Sequence, residues 1–341
     1  MNSLLVALLG TTVLIATCAL SQQTETSRQQ FLEYKAKAEK GDATAQFNLG
    51  VCYSDGYGVE QDETEGLKWY HKAAQQNYAP AQCNLGIGYA EGRGVKKDAA
   101  EALQWYRQAA AQQNPPALYN LGKCYLQGYG VENNPHEAVR WFRAAADQNY
   151  AQAQSSLGRC YLAGEGVQRD YEEAVRWLRK ATEQNDATAQ NNLGLCYANG
   201  QGVKKDHSEA VRWFQKAAGQ NETLAQNNLG VCYQTGEGVA KNYVEAVKWY
   251  RKAAEQSDAL AQSNLANCFA QGIGVTKDLA EAYAWLSLAA LTDPSVSKQR
   301  DVVAKLMTAE QVLAGSMRMQ ELRAQNKQRW QRAGNSPPRR P

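Results

Sequence analysis

Small and apolar residues recur in this chain at the three- and four-residue steps of a helix. From Ala43 to Ser54 they stand at Ala45, Leu49, Cys52 and Tyr53, with polar residues between them. This spacing predicts a helix, here called helix A, with one apolar face. After a break that contains two glycines, a second stretch has the same spacing and predicts a further helix, called helix B.

The helix pair occurs seven times at a constant interval of 36 residues. A Leu marks every helix A, and a Trp marks every helix B. The leucines are Leu49, Leu85, Leu121, Leu157, Leu193, Leu229 and Leu265, and the tryptophans are Trp69, Trp105, Trp141, Trp177, Trp213, Trp249 and Trp285. Because one helix pair cannot bury its apolar face alone, such a period indicates a solenoid of stacked pairs. We interpret the Trp series as the packing seam between them.

The segments between helices contain residues suited to tight turns. Helix A is followed by Gly-x-Gly-Val, as in Gly56 to Val59, and glycine adopts backbone angles that other residues avoid. Helix ends with left-handed backbone are expected at Gly or Asn residues. These residues are Gly41, Asn77, Asn149, Asn185 and Asn221.

Every helix B has the signature of a capping box. An Asp or Asn stands at the expected N-cap, and a Glu follows three residues later, as in Asp62 and Glu65. The spacing predicts that the N-cap side chain accepts a backbone hydrogen bond and that the Glu side chain reaches back to the N-cap N–H. The seven carboxylates could instead bind cations or act as acids, but catalysis would require them to converge on one pocket.

The pattern Ala-x-x-x-Leu-Gly-x-x-Tyr, Gly-x-Gly-Val, Glu-Ala and Trp-Tyr-x-Lys-Ala-Ala resembles the Sel-one-like repeat family, relatives of the tetratricopeptide repeats. The resemblance covers about Ala43 to Pro294, with small departures such as Gly66 in place of Ala and Ala266 in place of Gly. It implies an all-α fold, a right-handed α/α superhelix (solenoid) with the A helices on the concave side. It also implies an adaptor for other proteins.

The period divides the chain into segments. The seven repeats are expected at 43–78, 79–114, 115–150, 151–186, 187–222, 223–258 and 259–294. Residues 23–42 are expected to form an N-terminal capping helix. Residues 295–332 are expected to form a C-terminal helical cap, in which Thr308 and Gln311 have capping-box spacing. Residues 333–341 are expected to be a disordered, basic, Pro-rich tail.

The N-terminal segment bears on localisation. Leu4 to Leu20 is a run of apolar and small residues, which is typical of a signal peptide or an N-terminal membrane anchor within residues 1–22. We therefore expect export or attachment to a membrane, in the periplasm or cell envelope if the source is bacterial. A cytoplasmic location is the alternative.

A polar residue precedes the Leu of each helix A. These residues are Asn48, Asn84, Asn120, Ser156, Asn192, Asn228 and Asn264. In the similar tetratricopeptide repeats, an Asn at this place can face the groove and hydrogen-bond the backbone of an extended peptide, so the six asparagines are candidate partner-binding residues. Alternatively, each side chain ties a neighbouring helix or loop, because contacts between repeats must recur in every repeat. Both interpretations stay open.

Helix A positions that differ between repeats are candidates for specificity. Lys123 and Arg159 occupy equivalent positions in successive repeats and form a basic pair suited to a carboxylate or phosphate of a partner. Our hypothesis is that Tyr119, Lys123 and Arg159 form the centre of the recognition surface. The alternative is that they are two solvated charges and an aromatic residue at the rim.

Six of the eight cysteines share one helix A position. Packed helices lie about 8–10 Å apart, too far for a disulfide between equivalent cysteines, so we expect buried free thiols. No metal, phosphate or nucleophile motif is present. With a net charge of +3, no cofactor and no nucleic-acid partner are expected.

Together these features predict a non-enzymatic protein–protein interaction scaffold that binds a peptide or protein in the groove lined by the A helices. An exported hydrolase-like protein acting on a cell-wall or antibiotic-like small molecule is the alternative, suggested for some relatives.

Overall fold

The computed structural model describes residues 25–332, and every regular element in this range is a helix. The predicted leader 1–22 and the predicted tail 333–341 lie outside the described residues. Helix α1 covers residues 25–38. The helices A of the seven repeats are α2 (Ala43–Asp55), α4 (Ala79–Glu91), α6 (Pro115–Gln127), α8 (Ala151–Ala163), α10 (Ala187–Asn199), α12 (Thr223–Thr235) and α14 (Ala259–Gln271).

The helices B alternate with them along the chain. They are α3 (Glu63–Gln75), α5 (Ala99–Ala111), α7 (Pro135–Ala146), α9 (Tyr171–Glu183), α11 (His207–Gly219), α13 (Tyr243–Ala254) and α15 (Leu279–Ala289). A short 3-10 turn (Pro294–Val296) and the helices α16 (Ser297–Ala304) and α17 (Ala309–Arg332) follow. The chain is thus an all-α helical-repeat solenoid, as predicted. Within the described residues, none of these helices is long and apolar enough to cross a bilayer.

The chain divides into two compact units, Met1–Arg169 and Asp170–Pro341. The N-terminal unit contains α1 to α8. Its helices pack in order, α2 on α3 and onward to α7 on α8, and Phe31 of α1 contacts Tyr53 of α2 edge to face at 5.4 Å between ring centroids. The C-terminal unit contains α9 to α17, packed in order up to α15, against which α17 lies.

In five of the seven repeats, the Gly that follows the Leu admits an aromatic ring from helix B. A Cβ built on Gly122 would lie 2.6 Å from the ring of Phe142, and one on Gly50 would lie 2.6 Å from Tyr70. The last repeat has Ala266 at this position, and there helix B presents Leu286, which is smaller, instead of an aromatic residue. The larger residue Ala266 is therefore accompanied by a smaller packing partner, Leu286.

The second loop glycine lies against the preceding repeat. Gly94 has a φ of +62°, and a Cβ there would be 2.5 Å from the backbone of Glu63, at the start of the preceding helix B. Any side chain would separate the two backbones. The expected left-handed residues at Gly41, Asn77, Asn149, Asn185 and Asn221 are confirmed, and Gln113 and Ser257 adopt the same conformation.

The predicted capping box is half correct. Asp62 accepts from the backbone N–H of Glu65 at 2.9 Å, as expected. The Glu65 side chain does not reach back, because the Asp62 N–H already donates to the Tyr53 carbonyl of helix A at 2.8 Å. In contrast, Thr308 and Gln311 form the full reciprocal box, with hydrogen bonds of 3.0 and 3.2 Å. The reach-back prediction for the repeat glutamates is therefore wrong.

Candidate partner-binding surface

One stripe along each helix A carries the residues singled out by sequence. The stripe consists of the residue before the Leu and the residues two and six positions after it, which are Asn48, Val51 and Asp55 in α2. Steps of three and four residues place them on one helix face. We call these positions the A-face stripe.

A first cavity of about 420 Å³ lies where α1 meets α2 and the loop after it. Its lining residues are Gln30, Tyr34, Asn48, Val51, Cys52, Asp55, Gly56 and Tyr57. The Tyr57 hydroxyl donates to Gln30 Oε1 at 3.1 Å, and Gln30 Nε2 donates to the Tyr34 hydroxyl at 3.3 Å. The cavity therefore combines the whole α2 stripe with two tyrosines held by a glutamine.

A second cavity of about 230 Å³ lies between α2, α3 and α4. Its lining residues are Val51, Ser54, Asp55, Glu63, Leu67, Tyr70, Asn84, Ile87, Gly88 and Arg93. Val51 and Asp55 belong to both cavities. The stripes of two successive A helices therefore border one recessed region in the N-terminal unit.

The six candidate asparagines are all half-buried. Asn48 lines the first cavity and Asn84 the second, and Asn192 lies half-buried on α10. The others reach the preceding repeat. Asn228 Nδ2 donates to Asn191 Oδ1 at 2.9 Å, Asn264 Nδ2 donates to Asn227 Oδ1 at 2.9 Å, and Asn120 Nδ2 lies 3.9 Å from Cys83 Sγ.

These contacts use the amide nitrogens and tie neighbouring repeats. The amide oxygens of Asn120, Asn228 and Asn264 have no hydrogen bond to a residue that the structure describes. An oxygen of this kind is an acceptor for a backbone N–H. The two interpretations of the row are thus compatible, since one amide can tie repeats through its nitrogen and present its oxygen.

The structure brings two of the three proposed central residues together. Lys123 Nζ lies 5.6 Å from the centroid of the Tyr119 ring. Tyr119 is half-buried and packs against Phe142 and Tyr150, with ring centroids 5.8 and 5.6 Å away. Lys123 and Arg159 are exposed, and neither forms an ion pair with another described residue. Both cations are therefore available to a partner.

The cysteines within residues 25–332 are free and buried, as expected. Burial raises the pKa of Cys83, Cys124 and Cys160 to about 11 and also raises the pKa of Cys52. A thiol with a raised pKa is a poor nucleophile near neutral pH. No cluster of three or more His, Cys, Asp or Glu side chains suited to a metal ion occurs in that part of the chain.

Sequence reasoning missed Asp55, Tyr34 and Tyr57 as site residues. Asp55 stands at a position that varies between repeats, and the tyrosines lie in α1 and a loop. Two departures from the repeat pattern were the available signals, because Gly88 replaces the usual Cys and lines the second cavity. Gly66 replaces the usual Ala, and a Cβ there would be 2.5 Å from the Oγ of the lining residue Ser54.

Comparison with known proteins gives a consistent family match. The Sel1 repeat model matches residues 43–78, 79–114, 115–150, 151–186, 187–222, 223–258 and 259–291. Among curated proteins, no match was found.

Several solved structures are similar. A Sel1 repeat protein from Oxalobacter formigenes is 33% identical over 72% of this chain and 96% of its own, with a TM-score of 0.65. The protective antigen c5321 of uropathogenic Escherichia coli, which has an SLR fold, is 30% identical over 89% of this chain and 82% of its own, with a TM-score of 0.42. The matches to the repeat model and to the Oxalobacter formigenes protein confirm the resemblance seen in the sequence: the chain belongs to the Sel1 repeat family.

Proposed function

We propose that this protein is a non-enzymatic scaffold that binds a peptide or protein partner along the A-face stripe of its N-terminal unit. Sel1 repeat proteins are generally protein-interaction scaffolds. The observation that carries the proposal is the recessed region bordered by the stripes of α2 and α4, where Asn48 and Asn84 lie beside apolar Val51 and Ile87. Amides suit the backbone of an extended segment, and apolar residues suit its side chains.

The exposed cations extend the same surface. Lys123 of α6 and Arg159 of α8 occupy the stripe position held by Val51 in α2 and Ile87 in α4. A carboxylate or phosphate of the partner would accept charge-assisted hydrogen bonds from them. Tyr119 supports Lys123 through their ring contact.

The hydrolase alternative has no comparable support. The thiols within residues 25–332 are buried and their pKa values are raised. Helix B glutamates are engaged in structural contacts: Glu101 accepts from Trp105 Nε1, and Glu65 pairs with Lys68. Glu281 pairs with Arg318 of α17. The Oxalobacter formigenes protein is described only as a Sel1 repeat protein.

Site-specific photo-crosslinking in the cells that make the protein tests the proposal. A benzophenone amino acid replaces Ile87 on the stripe or Gln104, which is exposed on the helix B α5. We expect a discrete crosslinked product from Ile87 that is absent from Gln104, and its loss in Asn84→Ala. Equal products from both positions, or none from the stripe, would overturn the proposal.

We also propose that residues 1–22 direct the repeats to the cell envelope or across a membrane. The support is the apolar run from Leu4 to Leu20. If the run stays as an uncleaved anchor, Arg28, Lys35 and Lys37 after it favour the cytoplasmic side for the repeats. Cell fractionation combined with the intact mass of the purified chain tests this. A full-length chain found only in the cytosolic fraction would contradict it.

A further inference from the structure

Asp55 is a carboxylate in an unfavourable place. It is the last residue of α2, where the helix dipole places partial negative charge. It lines both cavities and forms no ion pair or hydrogen bond with another described residue. The charge of Asp55 acts on the neighbouring thiol: the pKa of Cys52 is raised mainly by burial and then by Asp55. The site is therefore one that a cation would stabilise.

The first cavity has the chemistry of a cation site. Tyr34 and Tyr57 line it together with Asp55 and Asn48. The face of an aromatic ring attracts a cation, and a carboxylate beside it adds a direct ion pair. The same contact occurs elsewhere in this unit, where Lys72 Nζ lies 3.5 Å from the Trp69 ring.

One part of the second cavity is apolar, where Val51, Leu67 and Ile87 line it. The rest of the lining is largely polar and includes Asp55, Asn84 and Arg93, and Arg93 is already paired with Glu91 at 2.5 Å. Gly88 shapes this wall, because a Cβ there would lie 2.6 Å from Leu67 Cδ2. Six other repeats have Cys at the equivalent position, so the position of the Leu67 side chain in this wall depends on a departure specific to the second repeat.

The two cavities meet at Val51 and Asp55. Accepting the proposed function, on which this step rests, we infer that the region selects a partner segment carrying a Lys or Arg side chain beside an aliphatic side chain. The cation enters the first cavity, between the tyrosines and Asp55. The aliphatic side chain enters the second cavity, against Leu67 and Ile87. The amides of Asn48 and Asn84 bind the segment backbone between them.

A random dodecapeptide library displayed on phage, selected against the full chain, tests this inference. We expect enriched peptides to contain a Lys or Arg next to Leu, Ile or Val. Fluorescein-labelled copies of these peptides are then measured by anisotropy against four variants. Asp55→Asn should weaken binding about tenfold, which corresponds to about 1.4 kcal/mol, and should reduce the salt dependence. Asp55 is exposed at a helix end, so this isosteric change leaves the packing intact.

Gly88→Ala should weaken the binding of peptides that carry the aliphatic residue. It should leave unchanged the binding of matched peptides in which Ala replaces that residue. Circular dichroism verifies that this variant is folded. Lys204→Gln in a loop of the other unit is the control and should bind like the unaltered chain, since Lys204 lies outside the stripe.

The outcomes separate the two proposals. The inference is overturned if the enriched peptides lack a basic residue, or if Asp55→Asn binds them as tightly as the unaltered chain. If these peptides still bind Asn84→Ala more weakly, the A-face stripe remains the binding surface. Peptides that bind Asp55→Asn and Asn84→Ala as tightly as the unaltered chain overturn the inference and the proposed surface together. A selection that enriches no peptide also overturns both the inference and the proposed surface.

Discussion

The indole Nε1 of Trp105 donates a hydrogen bond of 3.0 Å to the Oε1 of Glu101, one helical turn earlier. Trp177 and Trp285 do the same with Glu173 and Glu281. In four other repeats a Lys or Arg stands three residues after the Glu and pairs with it, and the indole nitrogen is buried without a partner. These nitrogens belong to Trp69, Trp141, Trp213 and Trp249.

This difference predicts unequal costs for the same substitution. Glu101→Ala removes the charged acceptor of the half-buried Trp105 N–H, and we expect a loss of about 1–3 kcal/mol in the free energy of unfolding, since hydrogen bonds to charged groups are the stronger ones. Glu65→Ala removes only an exposed pair with Lys68, which is worth about 0.2–1 kcal/mol. Urea unfolding followed by circular dichroism compares the two variants. Equal losses would contradict the assignment.

The match between Gly122 and Phe142 predicts a rescue. Gly122→Ala places a methyl group against the ring, and we expect a cost of about 1–3 kcal/mol from overpacking. The double variant Gly122→Ala with Phe142→Leu should recover part of this cost, because the last repeat combines Ala266 with Leu286. Thermal unfolding of the single and double variants measures the coupling.

Gly219→Ala is the matched control for that pair. A Cβ on Gly219 meets nothing within 4 Å, and Ala favours the helix by about 1 kcal/mol. We therefore expect stabilisation at this position. Destabilisation at both glycines would indicate that the substitution itself, rather than the ring, is responsible.

The N-cap carboxylate of Glu222 predicts a pH-dependent stability. Burial raises the pKa of Glu222 above the usual 4.5, and nearby Asp258 and Asp186 add to this, while backbone N–H donors oppose it. A raised pKa means that ionisation opposes folding, so the associated stability is present below pH 4.5 and is lost as the pH rises through the folded-state pKa. We expect Glu222→Gln to raise the melting temperature at neutral pH and to have little effect near pH 4.

Asp293 provides a control of opposite sign. Hydrogen bonds from the Ser295 hydroxyl and backbone N–H lower the pKa of Asp293. Its stabilising contribution is therefore present above its ordinary pKa of 3.8 and is lost as the pH falls. Asp293→Asn should lower the melting temperature at neutral pH and have no effect in strong acid. The same direction of change in both variants would contradict the interpretation.

Charge reversal tests the basic part of the stripe. The double variant Lys123→Glu with Arg159→Glu should reduce yield of the photo-crosslinked partner at least several-fold, with the greatest difference at low salt. Lys204→Glu with Lys205→Glu makes the same change of net charge at exposed loop positions. Unchanged binding in the first variant would exclude Lys123 and Arg159 from recognition.

The sequence predicted those features that depend on local spacing. The helix pairs, the N-caps such as Asp62 and the left-handed ends such as Asn77 follow from residue types within a few positions of each other. The reach-back of Glu65 failed because the Asp62 N–H binds the Tyr53 carbonyl of another helix. Spacing within one helix does not reveal that competition.

The site was predicted in part for a similar reason. The rule that places Asn48 and Asn84 beside the Leu positions put them on the face of helix A that lines the two cavities. Asp55 was not predicted because the residues that line the cavities with it, such as Tyr34 of α1 and Gly88 of α4, are distant from it in sequence. The binding role of these residues stays a prediction until a partner is measured.

The contact between Gly94 and the backbone of Glu63 has a consequence for evolution of the array. Because this contact is made by main chain against main chain, its geometry does not depend on which side chains the adjoining repeats carry. It is therefore retained when a whole repeat is duplicated, deleted or exchanged within a gene. Side-chain contacts between repeats, such as that of Asn228 with Asn191, must be matched anew between the new neighbours.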